Sequence, residues 1–199
     1  MDHWQIAALL LLSVFYISYI AKTIMLKRQN IKADLLGKGQ KPSKEAVFET
    51  ALKIMTYLGA AIQFVSTIWN NLIFGFFPIQ IVSAIGLTIM QLGIVIFISA
   101  MATMRENWRA GYSDEQKTNL VTNGIYKYSR NPAFLGFDFL YIGCALVFPN
   151  VLNILCSVAV IVLFHIQILG EERFLEKTFG EEYLKYKKSA LRYFGCRKG

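Results

Sequence analysis

Long apolar runs broken by short polar punctuation organise this chain. No Asp, Glu, Lys or Arg occurs from Ile54 to Met104, and none occurs between Asp138 and Glu171. Such stretches hold several segments of roughly 20 apolar residues, the length at which a helix crosses a bilayer. Turn chemistry marks the breaks. A first span is expected from about Trp4 to Ile20, with Lys22 able to snorkel at its end. A second runs from about Ile54 to Ile73, before a turn at Asn70, Asn71, Gly75 and Pro78 flanked by Phe74, Phe76 and Phe77. A third runs from about Ile79 to Thr103, and a fourth from Pro132 to about Phe148. Pro149 and Asn150 turn the chain into a fifth, Val151 to about Leu169. The pattern predicts an all-α, polytopic membrane protein with about five transmembrane helices.

Composition agrees: 55% of the 199 residues are hydrophobic and only 17% are charged. All 21 Lys and Arg fall in three segments, Lys22–Lys53, Arg105–Arg130 and Arg173–Lys198. With five spans these lie on one side, while the two short turns on the other side carry no charge. The positive-inside rule makes the basic side cytoplasmic, with the N-terminus outside and the C-terminus inside. The net charge of +8 then reads as topology and attraction to anionic lipid, not nucleic-acid binding. The first span lacks a basic leader and a small-residue cleavage site, so it is expected to stay as a mature helix. Cys144, Cys156 and Cys196 show no CxxC spacing and read as small apolar fillers, with no disulfide framework and no metal site. A single integral-membrane domain over 1–199 is expected. Residues 1–103 hold three spans and a basic connector, Lys22–Lys53, expected to lie on the anionic leaflet. Residues 104–199 hold the polar motifs. The sevenfold spacings Gly86–Gly93 and Gly136–Gly143 permit close helix packing without naming the partner, and the oligomeric state is open.

Polar residues cluster where the C-terminal helices leave the bilayer. In "GIYKYSRNPAFLGFDF", Asn131 and Pro132 suit a helix start, with Asn as cap and Pro in the first turn. Arg130 beside that N-terminus makes a fitting clamp for a carboxylate or phosphate, with a lipid headgroup as the competing ligand. Asp138 is the one acid inside an expected span, about 9 Å along the helix from Pro132. Ionisable residues at such depth face a cavity or a partner. On the exit of the fifth span, His165, Leu169 and Glu172 share one helix face, and Gln167 and Glu171 another. The adjacent acids diverge, so each can do separate work, such as holding ribose hydroxyls or an ammonium group. His165 reads as a packed interior histidine. Phe174, Leu175, Phe179, Tyr183, Tyr186 and Leu191 give an amphipathic pattern, either a helix on the membrane face or a lid over a ligand. Trp108 and Arg109 follow the third span, where they can line the same pocket.

"NLVTNGIYKYSRNPAFLGF", followed about thirty residues later by "EERFLEKTFGEEYLKY", resembles the isoprenylcysteine carboxyl methyltransferase and phospholipid methyltransferase superfamily of integral-membrane enzymes. The resemblance covers roughly Met104 to Phe194. It implies S-adenosylmethionine as methyl donor, bound at the cytoplasmic C-terminal region without a Rossmann domain. No glycine-rich fingerprint after a strand argues otherwise. The family's GxYxxxRHPxYxG segment and its paired acids embrace the cofactor. Matched residue by residue, this points to Gly124, Tyr126, Arg130, Asn131, Pro132 and Gly136, then Glu171 and Glu172, with Leu120 and Val121 adding backbone or apolar contacts.

Two departures stand out. The family histidine after the arginine is Asn131 here, and the usual tyrosine is Phe134. Asparagine cannot titrate near neutrality; a histidine base would have to be His165. The implied chemistry is in-line displacement of methyl from a sulfonium by a lipophilic nucleophile, which asks mainly for positioning and exclusion of water. The acceptor is expected to be an isoprenylcysteine-like carboxylate or a lipid amine, carried on a lipophilic small molecule, a lipidated substrate or a membrane lipid. Arg109 is expected to hold an acidic acceptor, and Glu172 or Asp138 a cationic one. Two rivals remain: an NADPH-dependent reductase of the sterol-reductase type, and a non-catalytic lipid-binding scaffold.

Overall fold

A computed structural model describes residues 1–39, 41–69, 79–112 and 119–195. The described residues are all helical apart from turns and one isolated backbone bridge. Five apolar helices form the body: α1 His3–Arg28, α2 Ser43–Trp69, α3 Gln80–Met104, α4 Pro132–Val147 and α5 Val151–Phe179. A short sixth, α6 Glu181–Ser189, follows α5. Four of these are long and apolar enough to cross a membrane; α4, at 16 residues, is shorter. The protein is a polytopic integral-membrane protein. The turn expected at Asn70, Asn71, Gly75 and Pro78, and Cys196, lie outside the described residues; Cys144 and Cys156 are free and buried.

Helix ends lie beyond the expected span ends, where charged residues continue the helices. α1 begins on a capping box, in which Asp2 accepts from the Gln5 backbone while the Gln5 side chain accepts from the Asp2 backbone. It then runs on to Lys27 and Arg28, whose charges suit the helix C-terminus. α2 starts at Ser43, well before Ile54, so much of the basic connector is helix. α5 continues ten residues beyond Leu169, to Gly180, whose φ of 51° ends it. Asn131 precedes α4 as foreseen, yet its side chain makes no cap bond and points elsewhere.

The glycine spacings find each other. α3 and α4 run antiparallel with Gly86 against Gly143 and Gly93 against Gly136. A Cβ on Gly143 would sit 2.5 Å from the Gly86 carbonyl oxygen, so only glycine allows this approach. Around that pair Phe15 stacks on Phe97 with centroids 4.3 Å apart, and Phe137 and Trp108 meet Phe97 edge-on. A second core of Leu52, Ile62, Tyr141, Val160 and Phe164 joins α2, α4 and α5.

The two ends of the bundle are tied differently. At one end, Gln5 Nε2 donates to the carbonyls of Thr67 and Ile68, joining the start of α1 to the end of α2. At the basic end the segment after α1 bonds to the segment after α3, Leu35 N–H to Ala110 O at 2.9 Å and Ala110 N–H to Ala33 O at 2.8 Å. This junction roofs a space between the helices.

Candidate functional site

The roofed space is a cavity of about 610 Å³. Its polar end is walled by Asn107, Arg109, Asn119, Arg130, Asn131 and Glu171, with Trp108, Tyr126 and Tyr186 beside them. Its other arm is apolar and runs between α1, α2, α4 and α5 past Tyr16, Ala60, Phe134, Phe137 and Phe164. Seven residues of α5 separate Glu171 from Phe164, so the arm reaches about 10 Å from the polar end. Ile20, Ile24 and Tyr57 line the arm and are also exposed on the outer face, so it opens sideways between α1 and α2.

Of the expected site residues, Arg109, Leu120, Val121, Tyr126, Arg130, Asn131 and Glu171 meet on this one lining. Leu120 and Val121 also line a second, more open recess with Thr103, Asn123 and Gly124. Gly124 has φ 57°, and a Cβ there would meet the Thr103 side chain at 2.8 Å. Gly136 faces α3. Pro132, Gly136, Asp138 and Glu172 are absent from the lining of the main cavity. Asp138 is buried in α4 with its Oδ1 lacking a hydrogen-bond partner.

Glu172 is the hub beneath the polar end. Its Oε1 accepts from Arg130 Nη2 at 2.8 Å, Arg130 Nε at 3.1 Å and Asn131 Nδ2 at 3.1 Å. Its Oε2 accepts from Arg192 Nη2 at 2.9 Å and Nε at 3.1 Å. Arg130 Nη1 donates to the carbonyls of Ala190 at 2.7 Å and Lys187 at 3.3 Å. Asn131 Nδ2 also reaches Arg192 O at 3.2 Å. The anion beside Arg130 is thus the protein's own carboxylate, and the hub fastens the chain after α6 onto the start of α4.

Glu171 diverges from Glu172 as the helix requires. It forms no ion pair among the described residues and accepts from Gln167 Nε2 at 3.1 Å, leaving its carboxyl group on the cavity wall. The indole N–H of Trp108, another lining residue, is buried without a hydrogen-bond partner among the described residues. Tyr126 lies beneath α6, its carbonyl accepting from Tyr186 O–H at 2.7 Å. Burial pushes the Tyr126 phenol far up, so it stays neutral. Tyr183 and Tyr186 pack inward on Tyr126 and Ala100, so the amphipathic segment covers the site. His165 lies off the main lining, half-buried and hydrogen-bonded through Nδ1 to the Tyr193 hydroxyl.

Sequence reasoning missed the contributions of Arg192, Lys41 and Glu49. Glu49 did leave a trace, since it shares the buried stripe of Leu52, Gly59, Ile62 and Ser66 at helical spacing.

The sequence model of the phospholipid methyltransferase family matches residues 81–182 of this chain, from the start of α3 into α6. Protein-S-isoprenylcysteine O-methyltransferase of Xenopus laevis is 33% identical over 109 residues, which is 53% of this chain and 38% of that protein. The Dictyostelium discoideum protein of the same name is 32% identical over 108 residues, 53% of this chain and 46% of its own length. That of Saccharomyces cerevisiae is 38% identical over 69 residues, 34% of this chain and 29% of its own. The match therefore spans less than half the length of each of these three relatives. With the family match covering half of its residues, the chain belongs to the phospholipid methyltransferase family.

Proposed function

We propose that this protein transfers a methyl group from S-adenosylmethionine to the carboxylate of a lipid-borne acceptor, the donor arriving from water and the acceptor from the bilayer. The observation that carries this is the shape of the cavity: a polar end walled by Glu171, Asn131 and Arg109, continuous with an apolar arm that opens sideways between α1 and α2. Water-facing and lipid-facing reactants can meet only in such a space. The relatives, named as protein-S-isoprenylcysteine O-methyltransferases, support the choice of a lipidated carboxylate.

The residues fit the donor. Glu171, an acid with no ionic partner among the described residues, suits a group carrying positive charge, and the Trp108 indole N–H, orphaned among those residues, suits an oxygen acceptor. Leu120, Val121 and Tyr126 offer apolar and aromatic surface for an adenosine. When bound, the donor supplies a methyl on sulfonium: the acceptor's lone pair forms the new C–O bond as the methyl–sulfur bond breaks, its electrons going to sulfur. No proton is released from a carboxylate acceptor, so no general base is needed. The protein's task is placement and dryness. Arg109 in the roof orients the acceptor carboxylate. Arg130, Asn131, Glu172 and Pro132 hold the wall, Gly124 and Gly136 let backbones approach, and Asp138 stays outside the reacting space. The chain acts as a single membrane domain over 1–199, in which residues 1–103 shape the acceptor arm and 104–199 the donor end. By the positive-inside rule, its three basic segments support a polar end on the cytoplasmic side and an N-terminus outside.

Calorimetry on the protein in lipid nanodiscs tests the donor, with S-adenosylhomocysteine beside NADPH. Binding of S-adenosylhomocysteine alone supports the reading; binding of NADPH alone replaces it with a reductase. Labelled-methyl transfer to an S-prenylated cysteine, absent when its carboxylate is already esterified, tests the acceptor.

A further inference from the structure

Glu49 lies in α2, outside the segment that matches the family, yet it is fully buried at 1% exposure. A carboxylate there is strongly unfavourable unless paired. Its Oε2 meets Lys41 Nζ at 2.5 Å, with both side chains sealed, and accepts from Gly37 N–H at 2.8 Å. Lys41 also donates to Leu35 O at 3.2 Å and stands 4.5 Å from the Tyr112 ring centroid, whose face attracts a cation. Tyr112 in turn stacks on Phe174 of α5 and donates to Glu45. The pair is thus built into the roof of the cavity.

The second oxygen of Glu49 carries the consequence. Oε1 accepts from Gln167 Nε2 at 3.2 Å, and the same nitrogen donates to Glu171 Oε1 at 3.1 Å. A primary amide has two hydrogens on that nitrogen, so one serves each carboxylate and the buried Gln167 side chain has a single orientation. Two acids sharing one amide would repel each other. Lys41 neutralises Glu49, which leaves Glu171 as the acid that the shared amide holds at the cavity wall.

The geometry points to Lys41 and Glu49 as positioning residues: they orient Gln167, and through it aim the Glu171 carboxylate at the ammonium of the methyl donor. This rests on the assignment of the polar end of the cavity to the donor. It makes the N-terminal half, where the family pattern is silent, part of the donor site.

Three variants in nanodiscs test it by calorimetry: Gln167→Leu, Lys41→Met with Glu49→Leu, and all three changes together. Replacing Lys41 and Glu49 jointly leaves no lone buried charge, so that variant is informative even where a single change would unfold the chain. The probes are S-adenosylhomocysteine and methylthioadenosine, which keeps the adenosine but lacks the ammonium. The expected result is about a tenfold weaker Kd for S-adenosylhomocysteine in either variant. The triple variant should lose no more, and methylthioadenosine should bind all three as it binds the wild type. Unchanged S-adenosylhomocysteine binding in a folded variant overturns the inference, as does equal loss of both probes, which would mean general distortion. A wild-type protein that binds neither probe overturns the donor-site assignment itself, and the inference with it.

Discussion

Glu172 accepts hydrogen bonds from residues drawn from two distant parts of the chain, Arg130 and Asn131 before α4 and Arg192 after α6. Glu172→Ala leaves the Arg130 side chain, only 8% exposed, without its counter-charge. Breaking a buried pair from one side costs about 3–5 kcal/mol, so thermal unfolding in detergent should show a large drop in midpoint. Arg130→Lys keeps the charge but loses the forked contact with Glu172 and a carbonyl bond; it should cost about 1–2 kcal/mol. A Glu172→Ala protein as stable as wild type would mean the hub is ornamental. Asp34 gives a pH signature at the same scale. Burial opposes its ionisation, but Lys38 and Lys53 outweigh that and hold its carboxyl below the ordinary value. Its folded pKa is depressed, so its stabilisation is present above the unfolded value near 3.9 and is lost as pH falls through the folded one. Asp34→Asn should flatten the acid limb of stability below about pH 4, measured by unfolding against pH. Residues of this kind were legible in sequence when they broke a pattern. Arg130, Asn131 and Glu172 stand at the edge of apolar runs, whereas Arg192 is one cation in a basic tail, and nothing local distinguishes it.

Helices α3 and α4 are held by a contact no side chain makes. A Cβ at Gly143 would lie 2.5 Å from the Gly86 carbonyl oxygen, and one at Gly93 would lie 2.7 Å from that of Gly136. Both obstacles are backbone, so no rotamer relieves them and the helices must part. Gly143→Ala and Gly93→Ala should each cost about 1–3 kcal/mol, the usual range for overpacking. Gly170→Ala is the control. Its nearest neighbour is the Tyr112 hydroxyl at an ordinary 3.5 Å, and removing a glycine from a helix interior favours the fold by about 0.5–1 kcal/mol. Unfolding midpoints that rank Gly143→Ala at or above Gly170→Ala would refute the close-packed seam. The sevenfold glycine spacing was readable in the sequence; its partner was not, because a spacing describes one helix and a contact needs two. Helix ends failed for a related reason. Lys44, Glu45 and Glu49 read as part of a connector on the leaflet, and Glu171 to Arg173 as an exit, because charge on a helix cannot show from sequence whether it faces water or another buried charge.

The whole molecule divides the work unevenly between its halves. The matched segment, 81–182, supplies Arg109, Tyr126, Arg130, Asn131 and Glu171 at the polar end. α1 and α2 lie outside that match and supply Tyr16, Tyr19, Thr56, Tyr57 and Ala60 to the apolar arm. If the polar end takes the donor and the arm takes the lipid, a bulky change deep in α2 should separate the two. Ala60 is the smallest side chain lining the arm in that helix, and seven residues of α2, about 10 Å, separate it from Lys53 near the polar end. Ala60→Phe fills the arm without touching the hub, the roof or the glycine seam. The KM for an S-prenylated cysteine should rise about tenfold or more, since an excluded lipid segment forfeits roughly 0.8 kcal/mol for each methylene left in water. Calorimetric binding of S-adenosylhomocysteine should stay at the wild-type value. A shorter prenyl chain should recover part of the loss, because it ends before the obstruction. Parallel weakening of both ligands would show that the arm and the polar end are one pocket for one molecule, and the division of reactants between lipid and water would have to be abandoned.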